Sequence, residues 1–105
     1  MPRREQLLEL LQSDPDDPFL HYALALDDFS QGDDAAGLER LSHLNSAYSN
    51  YVPAYFQRGQ VLARLGEYET AKTVLQRGIQ VASQQGDQHA AAEMNGLLES
   101  LPPPE

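Results

Sequence analysis

The sequence has 105 residues, which is enough for one small domain but not for two. Apolar residues make up 41% of the chain and allow a packed core, while the absence of cysteine excludes disulfides, thiolate metal sites and a cysteine nucleophile. Seven basic and sixteen acidic residues give a net charge of −9, which argues against a nucleic-acid partner because phosphate binding needs a basic face.

Apolar residues recur with helical spacing along nearly the whole chain, and short breaks divide them into six segments. The predicted helices cover approximately residues 3–12, 18–30, 34–47, 51–65, 67–83 and 88–101. Polar residues that can cap a helix start precede four of them, and these are Asp17, Asp33, Asn50 and Asp87. Glycines that can end a helix stand at Gly32, Gly66 and Gly86, and prolines follow the last helix.

The pattern repeats every 34 residues, as the pairs Gly32/Gly66 and Leu41/Leu75 show. Gly59 lies inside a predicted helix, where glycine costs about 1 kcal/mol relative to alanine. A small residue is needed where two antiparallel helices cross closely, because the distance between helix axes follows side-chain size. The predicted crossing residues are Ala25 and Gly37 in the first unit, and Gly59 and Ala71 in the second.

The 34-residue unit resembles the tetratricopeptide repeat, whose pattern runs W-x2-L-G-x2-Y, then A-x3-F, then P. The second unit aligns to this pattern through Tyr55, Arg58, Gly59, Leu62, Ala71, Leu75 and Ser83. The first unit aligns through His21, Leu24, Ala25, Asp28, Gly37, Leu41 and Ser49. Three of these residues, His21, Asp28 and Arg58, stand where large apolar side chains are usual in the family.

The resemblance implies an all-α fold, in which antiparallel helix-turn-helix repeats stack as a short right-handed α-solenoid of about six helices. We expect a single domain over residues 1–101, with a proline-rich tail at 102–105. The predicted parts are a leading half-repeat at 1–17, repeats at 18–51 and 52–85, and a capping helix at 86–101.

Motifs for catalysis are missing from the sequence. The three histidines are far apart and form no metal-binding pair, and no phosphate-binding loop or nucleophile elbow is present. Adjacent acids such as Asp27 and Asp28 point roughly 100° apart on a helix, so they do not converge as a general acid and base would. The sequence therefore predicts no enzyme activity, no cofactor and no metal.

In stacks resembling this family, the first helix of each repeat lines a groove that holds an extended peptide or a helix. The residues predicted to face this groove are Phe19, Tyr22, Leu26 and Phe29 in the first repeat, Phe56, Gln57, Gln60, Ala63 and Arg64 in the second, and Ala90, Ala91 and Met94 in the cap. The alternative for the aromatic residues is ordinary core packing. Since Leu20, Leu24 and Ala25 already give the first of these helices one apolar side, its other side is available to a partner.

The sequence thus predicts a cytoplasmic, non-enzymatic module that binds a protein or peptide in its groove, with no membrane segment. The alternative is a structural scaffold that forms homo-oligomers through the same apolar face. The acidic composition is typical of a soluble surface, or else of a protein adapted to a salt-rich cytoplasm.

Overall fold

A computed structural model describes residues 3–103, and within this range the protein consists of six α-helices and no strand. The helices are α1 Arg3–Ser13, α2 Pro18–Ser30, α3 Asp34–Ala47, α4 Val52–Arg64, α5 Tyr68–Gln84 and α6 Gln88–Ser100. The predicted all-α fold is confirmed. The ends of the predicted half-repeat 1–17 and of the tail 102–105 lie outside the described residues.

Within the described residues the helices form two compact units, which we call unit 1 (up to residue 48) and unit 2 (from residue 49). In unit 1, α2 packs against both α1 and α3. In unit 2, α5 packs against both α4 and α6, and α4 also contacts α6. The predicted division into one domain with two repeats stays a prediction.

Three helices end in the same backbone arrangement, each with a glycine in the left-handed conformation. The φ angles are +82° at Gly32, +81° at Gly66 and +77° at Gly86. The residue after each glycine donates its backbone N–H to a carbonyl five residues back over 2.9 Å, as Asp33 does to Asp28. This is the Schellman pattern, which needs a residue without a Cβ at the left-handed position. The predicted glycine stops are therefore confirmed.

Three of the four predicted caps are confirmed. The carboxylates of Asp17, Asp33 and Asp87 accept backbone N–H groups at the starts of α2, α3 and α6. The predicted cap Asn50 is wrong, because Tyr51 occupies the position before α4 and makes no side-chain cap bond. Pro53 in the first turn of α4 has no backbone N–H to donate to a capping side chain. The missing cap therefore costs α4 little stability.

Each unit has its own apolar core. In unit 1, Leu7 of α1 packs with the apolar stripe of α2, which we define as Leu20, Ala23 and Leu24. In unit 2 the core is larger and draws on all three helices, and its buried members are Val52, Tyr55, Val74, Leu75, Val81, Ala82, Ala91 and Met94.

Glycines allow the helices to approach closely in both units. A Cβ built on Gly59 would lie 2.4 Å from Cδ2 of the fully buried Leu75, so α4 and α5 could not pack this way with any larger residue. The close approach predicted at Gly59 is present, but the neighbouring atoms belong to Leu75 rather than to Ala71. At Gly37 the nearest atoms likewise belong to Phe29, where a Cβ would lie 2.3 Å from Cε1, and not to Ala25. In both units a large side chain fills the space above the glycine.

Candidate protein-binding surface

Helix α2 has a buried side and a partly uncovered side in unit 1. The apolar stripe Leu20, Ala23 and Leu24 is buried against α1, with none of its members more than 7% exposed. Phe19 is 58% exposed, while Tyr22 and Leu26 are half-buried. The spacing of these three residues places them along one side of the helix. They form the part of the predicted groove face that remains accessible on α2.

Phe29, which the sequence also assigns to the groove, is half-buried and covers Gly37 of α3. Its ring fills the space that a side chain at position 37 would occupy. Because this contact joins α2 to α3, Phe29 contributes to the packing of unit 1 as well as to its surface.

Helix α4 in unit 2 combines one exposed aromatic edge with a row of polar side chains. Phe56 is half-buried and packs against the core of unit 2. Gln57 is half-buried, whereas Gln60 and Arg64 are exposed. The amides and the guanidinium offer both hydrogen-bond donors and acceptors to a partner.

Met94, which the sequence assigns to the groove face of the capping helix, does not lie on an accessible surface. It is fully buried, and its Sδ would lie 2.6 Å from a Cβ built on Gly78. The same added atom would lie 2.6 Å from Cβ of Tyr55, so Gly78 is the point where α4, α5 and α6 meet. Gly78 was not among the predicted crossing residues, although it lies inside a long helix as Gly59 does and so carries the same sequence signal.

A charged cluster lies in unit 1 at Asp27 and Asp28 of α2, and we call it the ion cluster. Arg4 Nη1 donates to Asp27 Oδ2 over 3.1 Å and to Asp28 Oδ1 over 2.9 Å, and Arg40 Nε donates to Asp28 Oδ2 over 2.9 Å. The two carboxylates are 8% and 5% exposed, and buried anions of this kind need cationic partners. Hydrogen bonds to Asp27 and Asp28 raise the pKa of Arg4. The cluster explains how a carboxylate is accommodated at position 28, where the family usually has a large apolar residue.

Arg58, which departs from the family pattern at a different position of the repeat, is half-buried on α4. Its guanidinium carbon lies 6.0 Å from the ring centroid of Tyr55. Burial lowers the pKa of Arg58, and the electron-rich face of the tyrosine ring provides a favourable contact for the cation.

A cleft of about 700 Å³ that the sequence did not predict lies in unit 1 between the turn at residues 14–17 and α3. His21 Nε2 donates to the Pro15 carbonyl over 2.7 Å, and the Tyr48 hydroxyl donates to the Asp16 carbonyl over 2.6 Å. These bonds hold the turn against both α2 and α3. Glu39 and His43 stand on its α3 wall, with 3.8 Å between their nearest side-chain atoms. Across residues 3–103, no three histidine, aspartate or glutamate side chains gather as metal ligands.

Two solved structures resemble the chain over most of its length. The solution structure of a tetratricopeptide repeat domain protein from Salinibacter ruber has a TM-score of 0.77 and 28% sequence identity, covering 80% of this chain and 85% of that one. The crystal structure of a tetratricopeptide repeat domain protein from the same organism has a TM-score of 0.74 and 28% identity, covering 78% of this chain and 92% of that one.

The chain has the fold of these tetratricopeptide repeat domains. No model of a protein family matches the sequence, and no match was found among curated proteins. The resemblance inferred from Gly59, Ala71 and the 34-residue spacing is thus confirmed by the fold. Among the helices that the structure describes, none is long and apolar enough to cross a membrane.

Proposed function

We propose that the protein is a non-enzymatic interaction module that binds a segment of another protein through exposed side chains, with α2 supplying contacts in unit 1 and α4 supplying contacts in unit 2. The observation that carries the proposal is the uncovered side of α2, where Phe19, Tyr22 and Leu26 lie apart from the buried apolar stripe. The tetratricopeptide-repeat fold supports it, because in this family the first helix of a repeat carries the binding surface.

Phe19 is the apolar residue of this set with the most surface left to bury. It is 58% exposed, and a phenylalanine buries about 150–250 Å² when fully covered. At about 25 cal/mol per Å², covering the exposed part contributes roughly 2–4 kcal/mol to binding before the entropy cost of association. We therefore assign Phe19 the role of apolar anchor on α2.

The polar contribution comes from α4. Gln57 and Gln60 each carry an amide that can both donate and accept, which suits the backbone of an extended peptide. Arg64 adds a positive charge at the end of the same helix, and an acidic residue of the ligand would be favoured beside it. Met94 is not part of the proposed surface because the core of unit 2 covers it completely.

The experiment is site-specific photo-crosslinking in cells, with p-benzoylphenylalanine in place of Phe19 or of Gln60. The matched controls carry the same crosslinker in place of Leu10 of α1, which is 54% exposed, or of His89 of α6, which is also exposed. We expect adducts with one protein partner from positions 19 and 60 and none from positions 10 and 89. Equal labelling from all four positions would contradict the proposal, and adducts between two copies of the chain would instead establish the homo-oligomeric alternative.

A matched pair of substitutions separates binding from folding. Phe19→Ser should remove the adduct formed from p-benzoylphenylalanine in place of Tyr22 on the same helix without lowering the melting temperature, since the exposed ring of Phe19 contributes little to the core. Leu10→Ser changes an equally exposed apolar residue on α1 and should leave the crosslink intact.

A further inference from the structure

Helix α1 is attached to unit 1 by few apolar contacts. Of its four leucines, Leu7 is buried at 8% exposure and Leu11 is half-buried against the same core. Leu8 and Leu10 are 44% and 54% exposed. A helix of 11 residues is only marginally stable in water by itself, so α1 depends on its contact with α2 to remain helical.

The second attachment is Arg4, whose Nη1 atom bridges Asp27 and Asp28. Arg40 of α3 contacts Asp28 alone, so Arg4 is the arginine of the ion cluster that reaches both carboxylates. Without Arg4, Asp27 would lose the ion pair that compensates its burial. A buried carboxylate that loses its partner is strongly destabilising, and it recovers hydration only if the elements covering it move away.

The surface beneath α1 is the apolar stripe of α2, and Leu24 within it is fully buried. Separation of α1 from α2 would therefore remove Leu7 from the apolar stripe and break both ion pairs of Arg4 in one step. The apolar contribution of α1 comes mainly from Leu7 and Leu11, and the ion pairs of Arg4 add to it.

We propose that α1 is a latch that opens as one unit from the apolar stripe of α2, and that Arg4 is the residue that holds it closed. Opening is a local event with a lower free energy than unfolding of the α2–α3 pair, as is common for weakly packed elements. The latch controls access to Leu20, Ala23 and Leu24, which lie on a different side of α2 from the proposed anchor Phe19. The inference therefore does not depend on the proposed function.

The test is amide hydrogen exchange of the whole protein, measured residue by residue. In the unmodified protein, we expect the amides of Leu7–Ser13 to exchange at least about tenfold faster than those of Leu24–Ser30 in the neighbouring helix. Arg4→Gln should accelerate exchange in α1 by a further factor of about ten or more, while α2 and α3 stay protected. Arg3→Gln, which removes an exposed neighbouring charge, should leave α1 exchange unchanged.

Two results would overturn the proposal. One is equal protection of α1 and α2 in the unmodified protein, which would show that they unfold together. The other is an Arg4→Gln variant in which the amides of α1 exchange at the same rate as in Arg3→Gln, since Arg4 would then not keep α1 on α2. If Arg4→Gln fails to fold, Arg4→Lys takes its place. Lysine keeps the positive charge, but its ammonium group is more strongly hydrated and sits on a shorter side chain than the guanidinium of arginine. We expect it to accelerate α1 exchange less than Arg4→Gln, and an unchanged rate would count against the latch.

Discussion

His21 and Tyr55 make the same hydrogen bond in the two units. They stand 34 positions apart, and so do their acceptors, the carbonyl groups of Pro15 and Ser49. The donor-to-acceptor distance is 2.7 Å in both cases, from His21 Nε2 and from the Tyr55 hydroxyl. Each bond ties the first helix of a repeat to the turn before it. The repeat therefore preserves a hydrogen bond although the two side chains differ, and this bond accounts for a polar residue at position 21.

The first prediction concerns that bond. Tyr55→Phe removes the hydroxyl group and leaves the Ser49 carbonyl without this donor, so we expect the free energy of unfolding to fall by about 1 kcal/mol. Urea denaturation measures the change. Tyr68→Phe is the matched control because Tyr68 is 39% exposed, and its loss should change stability by less than about 0.5 kcal/mol. Equal midpoints for the two variants would show that the bond to Ser49 contributes nothing.

The second prediction compares three glycines inside helices. Gly59→Ala and Gly78→Ala each place a Cβ within 2.6 Å of buried side chains, so we expect both to destabilise the protein by about 1–3 kcal/mol. At Gly96 of α6 nothing lies within 4 Å, so Gly96→Ala should stabilise it by about 0.5–1 kcal/mol through helix propensity. Thermal melting of the three variants measures these changes. A lower melting temperature for Gly96→Ala would reveal a close contact at this position of α6.

Much of the fold could be predicted because its signals are local in the sequence. A glycine in the left-handed conformation ends a helix wherever it occurs, and an aspartate before a helix caps it without help from distant residues. Because the pattern repeats every 34 residues, these local signals predicted helix ends in both units. Asn50 was misassigned for a local reason as well, since the proline two residues into α4 removes the donor that makes such a cap valuable.

The candidate site was less predictable because it depends on which neighbours cover each side chain. Helical periodicity placed Met94 and Phe56 on the same kind of face, but α6 inserts Met94 into the core whereas Phe56 stays half-buried. The ion cluster could not be read from the adjacent acids Asp27 and Asp28, since Arg4 and Arg40 come from two other helices. Such contacts follow from packing geometry and leave no periodic signal in the sequence.

The third prediction tests how the ion cluster contributes to stability. Arg40→Ala removes one of the two arginines that contact the buried Asp28, so we expect a loss of about 1–3 kcal/mol. The same substitution in an Asp28→Leu background should cost less than about 0.5 kcal/mol, because the carboxylate that needs Arg40 is gone. Leucine is the residue at the equivalent position 62 in unit 2, so the replacement suits the repeat. Equal costs in both backgrounds would mean that Arg40 stabilises unit 1 through its apolar stem alone.

The surface charges differ in kind from the ion cluster. The pairs Glu69–Lys72 and Glu39–His43 each include an exposed carboxylate and have nearest-atom distances of 3.6 and 3.8 Å. Pairs of this type contribute about 0–1 kcal/mol and are weakened by salt. The repulsion among the remaining carboxylates of a chain with net charge −9 is screened by salt as well, and it opposes folding.

The last prediction follows from this balance between exposed pairs and repulsion. The chain has sixteen acidic and seven basic residues, so relief of repulsion should outweigh the loss of the exposed pairs. We expect the melting temperature to rise between about 0.05 and 1 M sodium chloride, because the Debye length falls to about 3 Å at the upper limit. A variant with Glu9, Glu67 and Asp14 changed to their amides removes three exposed charges and should show a smaller rise. Salt also strengthens apolar burial slightly, and that contribution should be the same in both proteins. Equal rises would therefore assign the effect to apolar burial, and a falling melting temperature would show that the exposed pairs outweigh the repulsion.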